Sequence, residues 1–410
     1  MSTIRPFQGI RPRQDLASAI AALPYDVYDS REARRVVQAS PLSFLKIDRA
    51  ETLLPEGTSP YSPEVYQTAR RTLDSMIADG SFLQDDTACY YIYTLTMNGR
   101  SQTGLVGCAS IDDYVNGVIL KHENTLAAKE QDRIDHVDAC SAQTGPIFLA
   151  YRPCRALHDL LETIRQSPAV YDFISDDGIR HQVWKTDTPE YIDKISQLFA
   201  GIPHLYIADG HHRAASAVKV GLRRRAEDPD YSPDKEYNYF LSVLFPADEL
   251  QIYDYNRVVV DSNGYTFEEF PDKIKDRFQI EEVGTTPYRP SRKGEFGMYR
   301  EGLWYRLTAH HTLFTGDPVG DLDVSVLQDQ ILGPVFGIQD PKTDARIRFI
   351  GGIRGLKALE EAAGNSGTAF AMYPTSMDEL LAVADAGKLM PPKSTWFEPK
   401  LRSGLFIHRF

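Results

Sequence analysis

The stretch LYIADGHHRAASA, residues 205–217, places an acid, a glycine, two imidazoles and a guanidinium side by side. The apolar run before Asp209 predicts a buried strand, and the small residues after Arg213 predict a helix. Gly210 would allow a tight turn between the two. The first N–H groups of the helix and the positive end of its dipole would then face a ligand, an arrangement that binds phosphate. An arginine in the first turn would add a bidentate donor.

Asp209 would lie at the carboxyl end of the strand, where α/β proteins place their ligand sites. Its carboxylate could hold Mg²⁺ against bound phosphates or accept a proton from a substrate hydroxyl. The alternative is that Asp209 only caps the helix and that the histidines are ordinary hydrogen-bonded groups. Zinc is a further alternative, but His211 and His212 are adjacent and do not share the face that metal-binding histidines four residues apart share.

A second polar segment, KHENTLAAKEQDRIDHVDA, carries His122 and Glu123 just before a predicted helix. On that helix Lys129, Arg133 and His136 recur at helical spacing and form one stripe. The stripe could face phosphates, with Glu123 as a general base or a Mg²⁺ ligand. The alternative is a solvated helix face on which neighbouring acidic residues balance the charge.

Two further stretches could contribute to a site. In PYDVYD, Tyr25 could stack on a base, or the stretch could be a turn that follows a helix. The stretch MPPKSTWFEPK is Pro-rich and non-helical, and no Gly-rich Walker loop precedes it, so it is not a P-loop. It could form a loop over the site or a structural C-terminal strap, and its anion-binding candidates are Lys393, Ser394, Thr395 and Lys400.

Helical and strand patterns interleave along the chain, which predicts a mixed α/β (α+β) protein. Two β-rich runs flank the Asn-Gly pair at 98–99, a strong hairpin signal. A capping box at 376–379 predicts the start of the last helix. We expect a core with an N-terminal α/β elaboration over residues 1–262. A C-terminal α/β region over residues 263–410 would follow and close with a Pro/Lys-rich strap.

Composition and charge exclude several classes of protein. The chain has 410 residues, of which 42% are hydrophobic, enough to bury a core. The net charge of -12 argues against a general nucleic-acid binder. No apolar run approaches the ~18 residues of a membrane span, and no secretory signal follows Met1. The four cysteines show no paired spacing. These features predict a cytoplasmic protein with reduced thiols and with no nucleic-acid or membrane partner, and they leave the oligomeric state open.

The DGHHR motif, between an apolar strand and a small-residue helix, resembles the signature of the ParB/sulfiredoxin superfamily. It is most similar to the form in the free-serine kinases of that superfamily, which transfer a nucleotide's terminal phosphate to the serine hydroxyl. The resemblance implies a ParB/sulfiredoxin-like nucleotide-binding core. The segments IRPFQGIRP, PYDV, HENT with KEQDR, YIADGHHR and MPPKSTWFEPKLRSGL also resemble domain-of-unknown-function family 1015, and they span nearly the whole chain.

The residues and the resemblance together predict a nucleotide-dependent phosphotransferase that acts on a small hydroxyl compound, with free L-serine as the first candidate. ATP or ADP and Mg²⁺ are the expected cofactors. The alternatives are a nucleotide-binding regulatory protein of the ParB-like fold and a metal-dependent hydrolase. The candidate catalytic residues are Glu123, Asp209 and His211, and Asp209 is also the candidate Mg²⁺ ligand. The candidate nucleotide- and phosphate-binding residues are Gly210, His212, Arg213, Lys129, Arg133 and His122, and the candidate loop over the site contains Lys393, Ser394 and Thr395.

Overall fold

The chain forms two compact units, one of residues 1–250 with 399–410 and one of residues 251–398. The predicted boundary residue 262 lies outside the described residues. The observed division differs from the predicted one, because the first unit ends at Leu250 and the last segment of the chain returns to it. The computed structural model describes residues 1–261, 263–266 and 269–410.

Helices and strands interleave in the first unit, which confirms the predicted mixed α/β class. Its strands up to residue 250 are β1 (Ile4–Arg5), β2 (Ile10–Pro12), β3 (Phe82–Gln84), β4 (Tyr90–Met97), β5 (Arg100–Ser110), β6 (Ile119–Leu120), β7 (Ala142–Gln143), β8 (Ile147–Tyr151), β9 (Tyr171–Ile174), β10 (Arg180–Thr186), β11 (Leu205–Asp209) and β12 (Tyr239–Pro246). Its helices are α1 (Ala17–Ile20), α2 (Ser30–Ala39), α3 (Leu45–Asp48), α4 (Pro63–Ala78), α5 (Ile111–Val115), α6 (Ala127–Cys140), α7 (Arg155–Ile164), α8 (Pro189–Ala200) and α9 (His211–Glu227).

A large mixed sheet with the order β6-β11-β8-β12-β5-β4-β10-β9 organises the first unit, and β1 pairs with the far end of β5. Strand β11 runs parallel to β6 and antiparallel to β8. Both β8 and β11 are buried along almost their whole length, which explains their continuous apolar sequences. The register of β11 shifts between Ile207 and Asp209, so the regular ladder is interrupted just before Asp209, which still pairs with Phe148 of β8.

Helices α6 and α9 pack closely because the residues between them are small. Ser216 is buried on α9, and its hydroxyl donates to the Glu130 carbonyl of α6 at 3.0 Å. This packing places the first turns of α6 and α9 side by side.

The strands of the second unit are β13 (Ile252–Tyr253), β14 (Tyr255–Val259), β15 (Phe278–Gly284), β16 (Glu295–Arg300), β17 (Leu303–Ala309), β18 (Ile347–Gly351), β19 (Thr368–Met372) and β20 (Trp396–Phe397), and its helices are α10 (Phe270–Ile274), α11 (Asp323–Leu327), α12 (Lys357–Ala363) and α13 (Met377–Asp385). Its antiparallel sheet has the order β15-β17-β16-β19-β14-β18, and Leu359 of α12 packs on the sheet beside Trp304 of β17. The predicted capping box at 376–379 is confirmed at the start of α13.

The last strand, β21 (His408–Arg409), lies in the first unit and pairs with β7. Every helix among the described residues is too short or too polar to span a lipid bilayer.

Candidate functional site

The polar corner predicted from the sequence forms where β11 meets α9. Asp209 ends the strand, and the helix begins at His211. Gly210 joins them with φ of +91°, a left-handed conformation that costs other residues roughly 1–2 kcal/mol. A Cβ atom at this position would also lie 2.9 Å from Nε of Arg213. The predicted order of strand, glycine turn and helix is therefore confirmed.

Two cationic side chains flank the Asp209 carboxylate. Lys400 Nζ donates to Oδ2 at 3.2 Å, and the Arg213 guanidinium lies 3.9 Å from the same oxygen. Oδ1 accepts from the backbone N–H of Gly210 at 2.9 Å. The surrounding protein would by itself raise the pKa of Asp209, but the charges of Lys400 and Arg213 outweigh this effect, so its pKa lies below the usual value.

The two cations beside Asp209 count against the predicted role of its carboxylate as a Mg²⁺ ligand. Mg²⁺ prefers an octahedral shell of oxygen atoms, and the two cations beside the carboxylate would repel it. The magnesium assignment to Asp209 stays a prediction.

His122, Glu123 and His211 form a second cluster, beside the corner. One potential ligand atom of each lies within 4.8 Å of the others, and the two imidazole rings meet edge to face with centroids 4.5 Å apart. Only 2% of His122 and 6% of His211 is exposed. Burial lowers the pKa of His122 to about 4 and holds the pKa of His211 well below its usual value. Both rings are therefore neutral near pH 7.

His212 has a different environment from His211. Its Nε2 accepts a hydrogen bond from the backbone N–H of Leu126 at 2.9 Å. This bond attaches the 121–126 loop, which carries His122 and Glu123, to the first turn of α9. The predicted contact of His212 with phosphate is untested and stays a prediction.

The predicted stripe on α6 reaches both solvent and the protein interior. Lys129 is exposed, whereas Arg133 and His136 are buried. Arg133 pairs with Asp132 at 2.8 Å, and its guanidinium lies 4.0 Å from the ring centroid of Tyr25. A fully solvated helix face is therefore excluded for the second half of the stripe.

The sequence matches a known protein family over most of its length. A family model described as "Protein of unknown function (DUF1015)" matches residues 4–325. The chain belongs to this family. No curated protein matches the DUF1015 chain in sequence.

Several solved structures resemble this DUF1015 protein. A free serine kinase variant in complex with ADP has 14% identity and a TM-score of 0.36, covering 77% of this chain and 92% of that one. SbnI from Staphylococcus aureus, truncated at its C-terminus, has 11% identity and a TM-score of 0.38, covering 74% and 87%. A conserved hypothetical protein from Pyrococcus furiosus has 13% identity and a TM-score of 0.35, covering 72% and 92%.

Two cavities that share lining residues lie along the stripe of the DUF1015 protein. The smaller cavity lies between the two helices, since it is lined by Arg133 of α6 and by Arg213 of α9. The larger one, about 240 Å³, is lined by both Lys129 and Arg133. Further residues of the smaller cavity are Tyr25, Asp48, Thr144, Gly145 and Ser403. The larger cavity also contains Tyr25, Asp26, Asp48, Arg49, Tyr61 and Tyr66.

The predicted loop residues Lys393, Ser394 and Thr395 belong to the second unit. Ser394 is buried, its hydroxyl donates to the Pro391 carbonyl at 2.7 Å, and its own carbonyl accepts from Thr375 at 3.0 Å. These bonds give Ser394 a structural role in its own unit. That the loop covers the site stays a prediction.

Sequence reasoning missed two features of the site. Lys400 was grouped with the other residues of the C-terminal run, and its pairing with Asp209 spans 191 residues. His122 and His211 were considered separately, and nothing in their local sequences indicates that the two rings meet. Both features depend on tertiary contacts, which local patterns do not encode.

Proposed function

We propose that this protein is a nucleotide-dependent phosphotransferase that acts on a small hydroxyl compound, with ATP or ADP as the donor. The observation that carries the proposal is the cationic corner at the start of α9, where Arg213 and Lys400 meet beside Asp209. Phosphoryl transfer depends mainly on positioning and on neutralising charge, and this corner offers groups for both.

The phosphates would be bound by the first turn of α9 and by the two cations. Arg213 is oriented by a hydrogen bond from its guanidinium to the Pro146 carbonyl at 2.7 Å. Asp209 keeps the Lys400 ammonium group nearby. An incoming phosphate would share both cations with Asp209, so the carboxylate acts here as a positioning group.

Glu123 is the carboxylate that we assign to the acceptor side of the reaction. It is partly exposed, on the loop that His212 attaches to α9. A general base must lie within hydrogen-bond reach of the proton that it removes, and a partly exposed carboxylate beside the phosphate corner meets this need.

The larger cavity offers space for the remainder of the nucleotide. Its wall contains Lys129 and Arg133 together with the Tyr25 ring. Mg²⁺ would enter bound to the nucleotide's phosphates, because Asp209 is occupied by cations. Free L-serine is the first candidate acceptor, and its support is the resemblance of the DGHHR motif to the serine-kinase form.

The direct test is a phosphorus NMR assay of the whole protein with Mg²⁺, ATP or ADP, and a panel of hydroxyl compounds. We expect a new phosphate monoester signal, first with L-serine. Turnover with another alcohol but not with serine would keep the reaction class and change the acceptor. Nucleotide binding without any transfer would overturn the proposal in favour of a nucleotide-binding regulatory protein.

The cluster of His122, Glu123 and His211 favours a second candidate, a metal-dependent hydrolase. Two imidazoles and a carboxylate are a donor set that can activate a water molecule when a metal ion is bound. In the same NMR assay this function would release inorganic phosphate without forming a monoester of the added alcohol.

A further inference from the structure

Two buried histidines beside the corner have ring nitrogens without partners. Nε2 of His211 has no hydrogen-bond partner among the described residues. His122 has at most one weak hydrogen bond, with the backbone of Ile207, so at least one of its ring nitrogens also has no partner there. Buried polar groups almost always have partners, so unsatisfied nitrogens in two touching rings require an explanation.

We infer that His122, Glu123 and His211 bind a divalent first-row transition metal ion. A single ion between the rings would satisfy nitrogen atoms that the protein leaves unpaired. Glu123 would add one carboxylate oxygen, since its potential ligand atom lies within 4.8 Å of those of both histidines. Ligands that are each about 2.1 Å from one ion lie roughly 3–4 Å apart, so the three side chains need only small movements to bind it.

The donor set selects the class of metal. Imidazole nitrogens suit Zn²⁺, Fe²⁺, Ni²⁺ and Cu²⁺, whereas Mg²⁺ and Ca²⁺ prefer sites made of oxygen atoms alone. Neutral imidazole is the form that binds metal, and both rings lie buried, away from the solvent-exposed acidic groups of the described residues other than Glu123 and Asp209. Three protein ligands leave at least one coordination position open for water or a substrate oxygen.

The fold explains how two adjacent histidines can take part in one site. Of the adjacent pair His211 and His212, only His211 belongs to the cluster, because Nε2 of His212 accepts a hydrogen bond from the backbone of Leu126. The second imidazole comes instead from His122, which follows β6, the strand that pairs in parallel with β11. The carboxyl ends of these two neighbouring strands thus deliver the ligands. The adjacency of His211 and His212 counts against a metal site only if both rings are ligands, and here His122 supplies the second ring.

The inference does not depend on the proposed phosphotransferase activity, since metal binding is measured without nucleotide. The whole protein, stripped with a chelator, is titrated with Co²⁺ alone and with Zn²⁺ alone. We expect close to one equivalent of either ion to bind, with a Co²⁺ visible spectrum typical of mixed nitrogen and oxygen ligands. Added Mg²⁺ should not displace the bound Co²⁺ or Zn²⁺.

Three variants and one control locate the site. His122→Ala, His211→Ala and Glu123→Gln should each weaken Co²⁺ binding by at least about 100-fold. His204→Ala, which removes an exposed histidine just before β11, should bind Co²⁺ like the parent protein. Circular dichroism checks folding, and Glu123→Gln changes a partly exposed side chain, so it serves as the decisive variant if a histidine variant unfolds.

Absence of Co²⁺ and Zn²⁺ binding in the folded parent protein would overturn the inference. So would binding that is unchanged in folded Glu123→Gln and in the folded histidine variants. Phosphotransfer in a protein that binds no transition metal would reject the metal site and keep the proposed function. Metal binding without phosphotransfer would do the reverse.

Discussion

At the residue scale, Asp209 determines where the cations of the corner lie. Its carboxylate contacts Lys400 and Arg213, and its pKa is lowered by them although its surroundings act in the opposite direction. In the proposed function, a carboxylate in this position keeps in place the two cations that would bind phosphate. Removing one cation therefore tests the corner without touching the backbone turn.

We predict that Lys400→Ala weakens ADP binding by roughly 10- to 150-fold, which corresponds to the ~1.5–3 kcal/mol of a charge-assisted contact. Lys400→Arg should restore most of the affinity, because it keeps the charge. Fluorescence titration measures both. Lys194→Ala, at an exposed lysine of α8, is the matched control, and an equal loss there would contradict the prediction.

Glu123→Gln should abolish phosphotransfer and leave nucleotide affinity within a few-fold of the parent value, because a general base contributes to turnover rather than to phosphate binding. Comparing turnover with the dissociation constant for ADP separates the two effects. A variant that keeps its turnover would remove Glu123 from the mechanism.

The sequence predicted the local geometry of the corner better than its long-range contacts. The five-residue corner from Asp209 to Arg213 is contiguous, so its geometry follows from local signals: an apolar strand, a glycine and a helix start. The pairing of Lys400 with Asp209 and of His122 with His211 joins distant segments. Such contacts are set by the sheet order, which the sequence of one chain does not reveal.

At the element scale, the turn between β11 and α9 depends on Gly210. We predict that Gly210→Ala destabilises the protein by about 1–2 kcal/mol through its positive φ. It should also weaken nucleotide binding, because the new Cβ would displace the Arg213 guanidinium, 2.9 Å away. Chemical denaturation and calorimetry measure the two effects.

Gly178→Ala provides the matched control for the turn. Gly178 also has a positive φ, +78°, and a Cβ atom there would meet nothing within 4 Å. It should show the loss of stability alone. Equal nucleotide affinity in both variants would contradict the role of the turn.

Elements with strong local signals were predicted correctly. The hairpin of β4 and β5 forms around the pair at 98–99, and both turn residues have positive φ. Local signals do not predict burial. The spacing on α6 predicted that Lys129, Arg133 and His136 share a face, but not that Arg133 is buried beside Asp132. Burial depends on what packs against a face, and here that is decided by distant parts of the chain.

At the scale of the whole molecule, the chain leaves the first unit at Leu250 and returns to it at Pro399. The sequence does not indicate that the chain rejoins the first unit at Pro399, because the Pro-rich run before it has no pattern typical of a boundary between units. The returning segment carries Lys400 to Asp209, so the proposed phosphate site depends on it.

The second unit contains a buried acid that should make stability depend on pH. Asp323 is 7% exposed, and burial raises its pKa to about 7. The folded state therefore keeps a proton that the unfolded chain releases near pH 3.9, so this group's contribution to stability falls as pH rises from about 4 to 7. The loss reaches at most about 4 kcal/mol above pH 7.

We predict that Asp323→Asn stabilises the protein more at about pH 8 than at about pH 5, because the amide cannot ionise. The amide oxygen can still accept from Gly294, whose N–H now lies 3.0 Å from the carboxylate. Thermal unfolding at the two pH values measures the difference. An equal shift at both would show that Asp323 ionises normally in the folded protein.

The central claim is that the corner from Asp209 to Arg213 binds nucleotide phosphates, and calorimetric titration of ADP and ATP into Arg213→Ala tests it most directly. The parent protein should bind nucleotide, and the folded variant should bind it roughly 10- to 150-fold more weakly. Arg155→Ala, at an exposed arginine of α7, should match the parent. Unchanged affinity in folded Arg213→Ala, or no nucleotide binding by the parent protein, would contradict the claim.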